Sequence, residues 1–432
     1  MVASEKRKEA SQVDLSPVLV LKSTYLDDKK PQTYGTYVLS RTQATEYSVG
    51  LAKKFSTGTQ AQVSASASDV QANALVSGAG VEQKMGIGSL GVSLSQSLWK
   101  DGFGASTRLK WDREAAVEKA EKSGYDLQQR QLLIEAESAF WDLIYLQEEM
   151  TQRKASLERA KRIESWVKRR VENGIGDRAD LLNAQGLVAA RELQLLVTQD
   201  EHLAMVKRLN DFLEVQAQEN PNLEGDLKQV RNIRDLVGVS SQKNPVRLDA
   251  YLSALEAQAK MVGSREAEEA MKPDLVLEGQ YKTNPIESSM SSAMNKLTDT
   301  QNPTTAIAVK LTWLLDGGAK GSVREAARQE ALASQYKKER KLLESQSSWE
   351  EIQRRHTELG KKIKAAQIVS QVQAQKAAVE RDKLTKGRTV TSQVITAEQD
   401  AAEAELTLVK LQAEQRKLEA QSRLFVSIEE SL

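Results

Sequence analysis

The sequence predicts a mainly α-helical protein with a β component, built twice over from strands followed by a long antiparallel helical hairpin. Three observations predict it. Residues 105–172 form a stretch of 68 residues without proline, about 100 Å if wound as one helix, and 321–386 is a similar stretch. Gly174-Ile-Gly-Asp-Arg-Ala-Asp180-Leu181-Leu182-Asn183-Ala184-Gln185 is matched by Gly387-Arg-Thr-Val-Thr-Ser-Gln393-Val394-Ile395-Thr396-Ala397-Glu398 at an offset of 213, and Asp101-Gly102 by Asp316-Gly317 at 215. Short segments before each long stretch alternate apolar and polar residues, the period of a half-buried strand.

A second upstream match, Pro17-Val-Leu-Val-Leu21 with Pro273-Asp-Leu-Val-Leu277, sets the order of elements. Residues 245–272 make a helix before Pro273, whereas only 1–16 precede Pro17, the remnant of an equivalent helix. The start, Met1-Val2-Ala3-Ser4-Glu5-Lys6, has no apolar core for a secretion signal, so the chain is expected to begin inside that helix. Residues 17–102 form the first strand region. It carries a surplus over the second half that fits an extra hairpin near 46–68, folded about Ser56-Thr57-Gly58, with polar loops at Leu26–Thr45 and Asp69–Met85.

The first long helical hairpin occupies 103–216 with its tip near 173–180. Its seam, Leu132, Ala136, Ala139, Leu143, Leu146 and Met150, has coiled-coil spacing. Residues 217–244, with Pro221, Gly225 and Gly238, read as a mid-chain belt. The helix of 245–272 and a second strand hairpin at 273–318, with a loop at Asn284–Pro303, lead into the second long hairpin at 319–432, its tip near 386–393. Ala397, Ala401, Ala404, Leu408, Leu411, Leu418 and Phe425 continue a seam that includes polar Gln415 and Ser422. Tyr25, Trp99, Tyr281 and Trp313 stand near strand ends, where a membrane-interface girdle of aromatics would place them; a β-sandwich with aromatics beside its turns is the alternative.

Composition narrows the function. Charged residues make up 28% of 432 residues and sum to +1, which leaves no basic footprint for nucleic acid. There is no cysteine, so thiolate metal sites and disulfides are excluded. No apolar run reaches the length of a membrane-crossing helix, while a barrel strand needs only about 9–11 alternating residues. Gly86-Ile-Gly-Ser-Leu-Gly91 spells a dinucleotide-binding fingerprint, but an alternating strand follows it where a helix is required, so a flexible hairpin loop is expected. His202 and His356 are expected at solvated helix positions. Carboxylates such as Glu135 and Glu403 have Lys and Arg in helical register. No nucleophile, base and orienting group assemble, so neither an enzyme nor a cofactor is expected.

The chain resembles the outer-membrane efflux protein family, of TolC-like channels. The resemblance rests on Ala139-Phe-Trp-Asp-Leu143, on the two glycine tips, on Asn244-Pro245 opening the second half, and on the Asp-Gly strand exits, spread over almost the whole chain. It implies that the helical hairpins form an α-barrel tunnel across the periplasm of a Gram-negative bacterium. Each chain would give four strands to a shared trimeric outer-membrane β-barrel. It further implies a homotrimer working with a periplasmic adaptor and an inner-membrane transporter. The tips would be the periplasmic mouth where the adaptor docks: Gly174, Asp180, Leu181 and Asn183 in the first, Gly387, Arg388, Gln393, Val394 and Thr396 in the second. Some members carry an acidic pair in the second tip; Gln393 and Thr396 stand there instead, and Lys383, Lys386 and Arg388 are expected to make the field positive. A coiled-coil scaffold without a channel is the rival reading, and drug efflux is not separable from polypeptide export.

Overall fold

The computed structural model describes residues 6, 9, 10, 12–34, 37–76, 79–215, 224–229, 231–238 and 245–427. Asn244 and half each of the expected 1–16 helix and 217–244 belt lie outside this set. Two compact units are present, one of 1–122 with 253–338 and the other of 123–252 with 339–432. Three helices contribute residues to both: α1 (Ala105–Glu172), α4 (Leu248–Ala270) and α6 (Gly317–Thr385).

The first unit is dominated by one antiparallel sheet. Its strands are β1 (Val18–Asp28), β2 (Gln32–Tyr34), β3 (Tyr37–Lys54), β4 (Thr59–Val76), β5 (Ala79–Ser97), β7 (Asp274–Lys282), β8 (Ile286–Glu287) and β9 (Thr304–Thr312). Six of them form a continuous path, β1-β3-β4-β5-β7-β9, with β2 on β3 and β8 on β5. The expected hairpin at 46–68 is therefore the core of a longer one, 37–76, that pairs with β1 on one side and β5 on the other. Leu26–Thr45 and Asp69–Met85 are largely strand, not loop. The expected count of four strands becomes six.

Apart from a register shift between Leu39 and Arg41 in the β3–β4 pair, one row crosses the whole path: Val18, Ala52, Gln62, Ser93, Gln280 and Ala306. β1 begins at that row, while β9 continues six residues past it to Thr312. Six residues span about 20 Å along a strand, and five strand spacings span about 24 Å, so the edge of the sheet departs by about 40° from the perpendicular to the strands. Closed barrels tilt their strands by this amount.

Each face has its own chemistry because successive side chains alternate. One carries Leu19, Leu21, Tyr47, Val49, Leu51, Val63, Val92, Leu94, Leu277, Ile307, Val309 and Leu311, all exposed. The other carries Lys22, Ser48, Gln62, Ser64, Ser66, Ser93, Ser95, Gln280 and Lys310. A short helix, α5 (Met290–Asn295), lies on the apolar face, where Met290, Met294 and Leu297 with Leu21, Tyr47, Val49 and Ala67 line an apolar cleft. This explains the glycine fingerprint, which lies inside β5 rather than in a loop. A Cβ on Gly86 would run into the backbone of Ser289, and one on Gly88 would come within 2.9 Å of Leu297 and 3.0 Å of the Ala293 carbonyl.

Both Asp-Gly pairs start long helices. Asp101 accepts hydrogen bonds from the Thr107 amide at 3.0 Å and hydroxyl at 2.9 Å, and Lys54 at the foot of β3 pairs with it at 3.0 Å. Asp316 accepts from the Ala319 amide at 2.9 Å. Each satisfies amides that a helix start leaves without partners. Burial pushes the Asp101 carboxyl up, but the bonds from Thr107 and Lys54 outweigh it and hold the group below its usual range.

In the second unit α1 meets α2 (Arg178–Leu213) through Ala139, Leu143, Val206 and Leu209. It meets α7 (Thr391–Ser422) through Trp141, Ile144, Val409 and Ala413. α6 meets α7 through Ala377, Ala397 and Ala401. The predicted α1 seam holds from Ala136 onward, but Leu132 is exposed. Of the belt, Leu227 packs on Trp141 and Ile144, and α3 (Ile233–Val237) seats Ile233 against Trp349 and Phe425. β6 (Val246–Arg247) pairs antiparallel with β10 (Phe425–Val426).

Candidate functional site

The two helix tips fall in one place. Ile163 and Val167 of α1, Ala184 of α2, Leu384 of α6 and Val394 of α7 form one buried cluster, with Trp166, Val171 and Leu181 against it. The duplicated segments thus pack on each other.

Each tip closes α1 or α6 in the same way. At the first, the Gly174 amide donates to the Val171 carbonyl and Ile175 to Arg170, both at 3.0 Å. At the second, Gly387 donates to Leu384 at 3.0 Å and Arg388 to Lys383 at 2.8 Å. Both glycines are left-handed, φ 71° and 67°, as this helix stop requires. The restart differs. Asp177 caps α2 through the Ala179 amide at 2.9 Å, whereas Val390 at the equivalent place gives α7 no side-chain cap. There the Thr389 hydroxyl lies 2.9 Å from a Glu380 carboxylate oxygen and 2.7 Å from Gln393 Oε1, able to donate its proton to one of them.

The residues expected at the tips divide between core and surface. Val394 is fully buried, and Leu181 and Asp180 are half-buried. Asn183, Arg388, Gln393 and Thr396 are exposed, the Thr396 hydroxyl donating to the Ser392 carbonyl at 3.0 Å. The expected positive field is partly cancelled, because Lys383 pairs with Glu380 at 2.7 Å and Lys386 with Asp382 at 2.6 Å.

Behind the tips lies an ion cluster that sequence reasoning missed. Glu398 on α7 accepts from Arg159 Nε at 2.9 Å and faces Arg381 Nε at 3.0 Å, its side chain 5% exposed. It therefore joins the first hairpin to the second. Its place directly after Ala397, where the other repeat has Gln185, is the sequence signal that pointed to it. Buried Arg191 is nearby; burial, then Arg153 and Arg159, push its pKa down against the pull of Glu398.

The histidines are not solvated as expected. His356 Nε2 stands 3.7 Å from Glu419, which is held by Arg416 at 2.6 Å. The His202 ring is partly buried with an unbonded Nε2, and burial followed by the Lys154 charge lowers its pKa.

In the sheet unit, Tyr25 and Tyr281 stand toward the far ends of β1 and β7, and Trp99 and Trp313 just past the near ends of β5 and β9. All four are exposed. Allowing for the slope of the sheet, the tyrosines share one rim and the tryptophans the other. Lys320 Nζ lies 5.0 Å from the Trp313 ring centre.

No family model and no curated protein sequence matches the chain. Among solved structures it shares its fold with the outer membrane protein VceC of Vibrio cholerae, at 14% identity, TM-score 0.69, covering 98% of this chain and 91% of that one. The outer-membrane channel OprN gives 16% identity and TM-score 0.68, with 98% and 84% covered. The open state of the Neisseria gonorrhoeae MtrE outer membrane channel gives 14% and 0.67, with 98% and 83% covered. The fold is that of these channels: long helical hairpins joined to antiparallel strands.

Proposed function

We propose that the chain is one protomer of a homotrimeric outer-membrane channel of a Gram-negative bacterium. It is a passive export duct that carries out no catalysis. The observation that carries this is the exposed apolar face of a sheet whose two edge strands, β1 and β9, have no outer partner among the described residues. Lipid tolerates such a sheet only when its edges are closed, and six strands are too few to close on themselves, since single-chain barrels begin at about eight. β1 and β9 run in opposite directions, so the β9 edge of one copy can pair antiparallel with the β1 edge of the next.

The helical layer has the same need. Leu182, Leu193, Leu196, Val197 and Leu203 on α2, and Leu343, Ile368, Val369, Val372 and Val379 on α6, are exposed. In a ring of three copies these faces would cover one another as tunnel walls. The aromatic rims of Tyr25 with Tyr281, and Trp99 with Trp313, suit the two membrane interfaces. The paired tips are the proposed periplasmic mouth, where an adaptor bound to an inner-membrane transporter docks on the exposed Asn183, Arg388, Gln393 and Thr396. Opening moves the first hairpin against the second, across the Glu398 cluster.

The test is fractionation and reconstitution. The protein is expected in the outer membrane as a heat-modifiable trimer that conducts ions in planar bilayers. A water-soluble monomer without conductance refutes the proposal.

A further inference from the structure

We infer that the hairpin β3–β4 is part of the membrane wall, so that the assembled barrel has eighteen strands, six from each of three copies. This rests on the trimeric channel proposed above and goes beyond it, because the resemblance implied four strands per copy. The hairpin is not an appendage. β1 pairs with β3 through all 11 of its residues, and β4 pairs with β5 from Thr59 to Val76. Swinging the hairpin out would strip β1 and β5 of their partners, and unpaired backbone is not tolerated in lipid.

The side chains carry the case further. Leu19, Leu51, Val63 and Val92 stand in one row on one face of β1, β3, β4 and β5, and all are exposed. The apolar band therefore continues across the hairpin without a break. It also climbs with the slope of the sheet, from Leu311 to Ile307 on β9 up to Leu19 to Tyr25 on β1, so on a barrel tilted about 40° it forms a level belt. The opposite face of the hairpin is small and polar, with Ser48, Gly50, Gln62, Ser64 and Ser66, which suits a water-filled lumen. β3, β4 and β5 outrun the membrane: 18 or 19 residues each, against 9 in β7 and β9. Their far halves would stand clear of the outer leaflet.

Barrel diameter grows roughly in proportion to strand number. At about 4.8 Å between strands and a tilt of about 40°, eighteen strands give a backbone diameter of about 36 Å, one and a half times that of twelve.

The chain has no cysteine, so single positions can be labelled cleanly. Leu51→Cys and Val63→Cys report on the hairpin's apolar face, Ser48→Cys and Ser64→Cys on its polar face, and Leu19→Cys and Val309→Cys on strands that belong to the wall in either barrel. Each is labelled with bimane and reconstituted as full-length protein in vesicles of ordinary or brominated phosphatidylcholine. The expected result is that labels at 51 and 63 lose as much fluorescence to brominated lipid as those at 19 and 309. Labels at 48 and 64 should instead be quenched by aqueous iodide. Quenching at 19 and 309 but not at 51 and 63 overturns the inference and leaves the channel standing. No lipid quenching at any position overturns both.

Discussion

Replacing Glu398 by Gln keeps the side-chain volume and removes a buried negative charge that joins the two hairpins behind the tips. The carboxylate accepts from Arg159 Nε at 2.9 Å, where the two side chains are 5% and 19% exposed. A hydrogen bond to a charged group in such a place contributes about 1.5–3 kcal/mol. The Arg381 contact adds only a few tenths of a kcal/mol, since that side chain is 40% exposed and solvent screens it. Two guanidinium groups then remain without a counter-charge, which brings the cost of E398Q to about 2–3 kcal/mol. Every 1.4 kcal/mol is tenfold, so the opening constant of the tip region should rise about 30- to 150-fold. Amide hydrogen exchange of the purified protein reads this directly: protection in 163–171 and 391–401 should fall by that factor while the strands stay unchanged. R159Q should have a similar effect, and the double variant should lose less than the sum of the two. A fall of less than about threefold, under about 0.7 kcal/mol, would show that the Glu398 cluster does not hold the two hairpins together.

Gly387→Ala should cost about 1 kcal/mol, read as a lower thermal midpoint, because φ is 67° but nothing lies within 4 Å of the new Cβ. Gly58→Ala should cost more, since its Cβ would also press on the Asp101 carbonyl. Trp349→Ala should remove about 3–5 kcal/mol, because the ring is 1% exposed and lies 5.1 Å from that of Phe425; chemical denaturation reports the change. His202 has its pKa lowered by burial and by Lys154, so the unfolded chain takes up a proton first. Its contribution is complete above the ordinary histidine value and is lost as pH falls below it. The drop in unfolding midpoint from pH 7.5 to about pH 5.5 should therefore be smaller in His202→Gln than in the parent protein.

The helices and tips were legible because duplication and heptad spacing are local signals that need no partner. The glycines at 174 and 387 stop their helices by the same pair of hydrogen bonds. The far halves of β3, β4 and β5 were misread as loops for a physical reason. Above the apolar belt one face is polar, with Arg41, Gln43 and Thr45 against Asn73, Gln71 and Asp69, and the other is mostly small, with Thr42 and Ala44 against Ala72 and Val70, so the alternation carries too little apolar bulk to mark a buried strand face. Glycines at 86 and 88 looked like turn residues because the helix they make room for lies some 200 residues later in the sequence. Glu398 escaped notice for the same reason, its partner Arg159 being 239 positions away.

The insertion came as a pair of strands, and parity explains why. Each strand added to an antiparallel wall reverses the chain's direction. One extra strand would turn β5 around, and α1 would leave from the opposite end of the sheet. Two restore the original sense: the chain comes back down at Ser97 and passes through Asp101 into α1 as before. The edges at β1 and β9 also keep opposite polarity, so one copy can still meet the next. A sheet of this kind grows only in steps of two strands, and the helical half of the molecule need not be redesigned when it does.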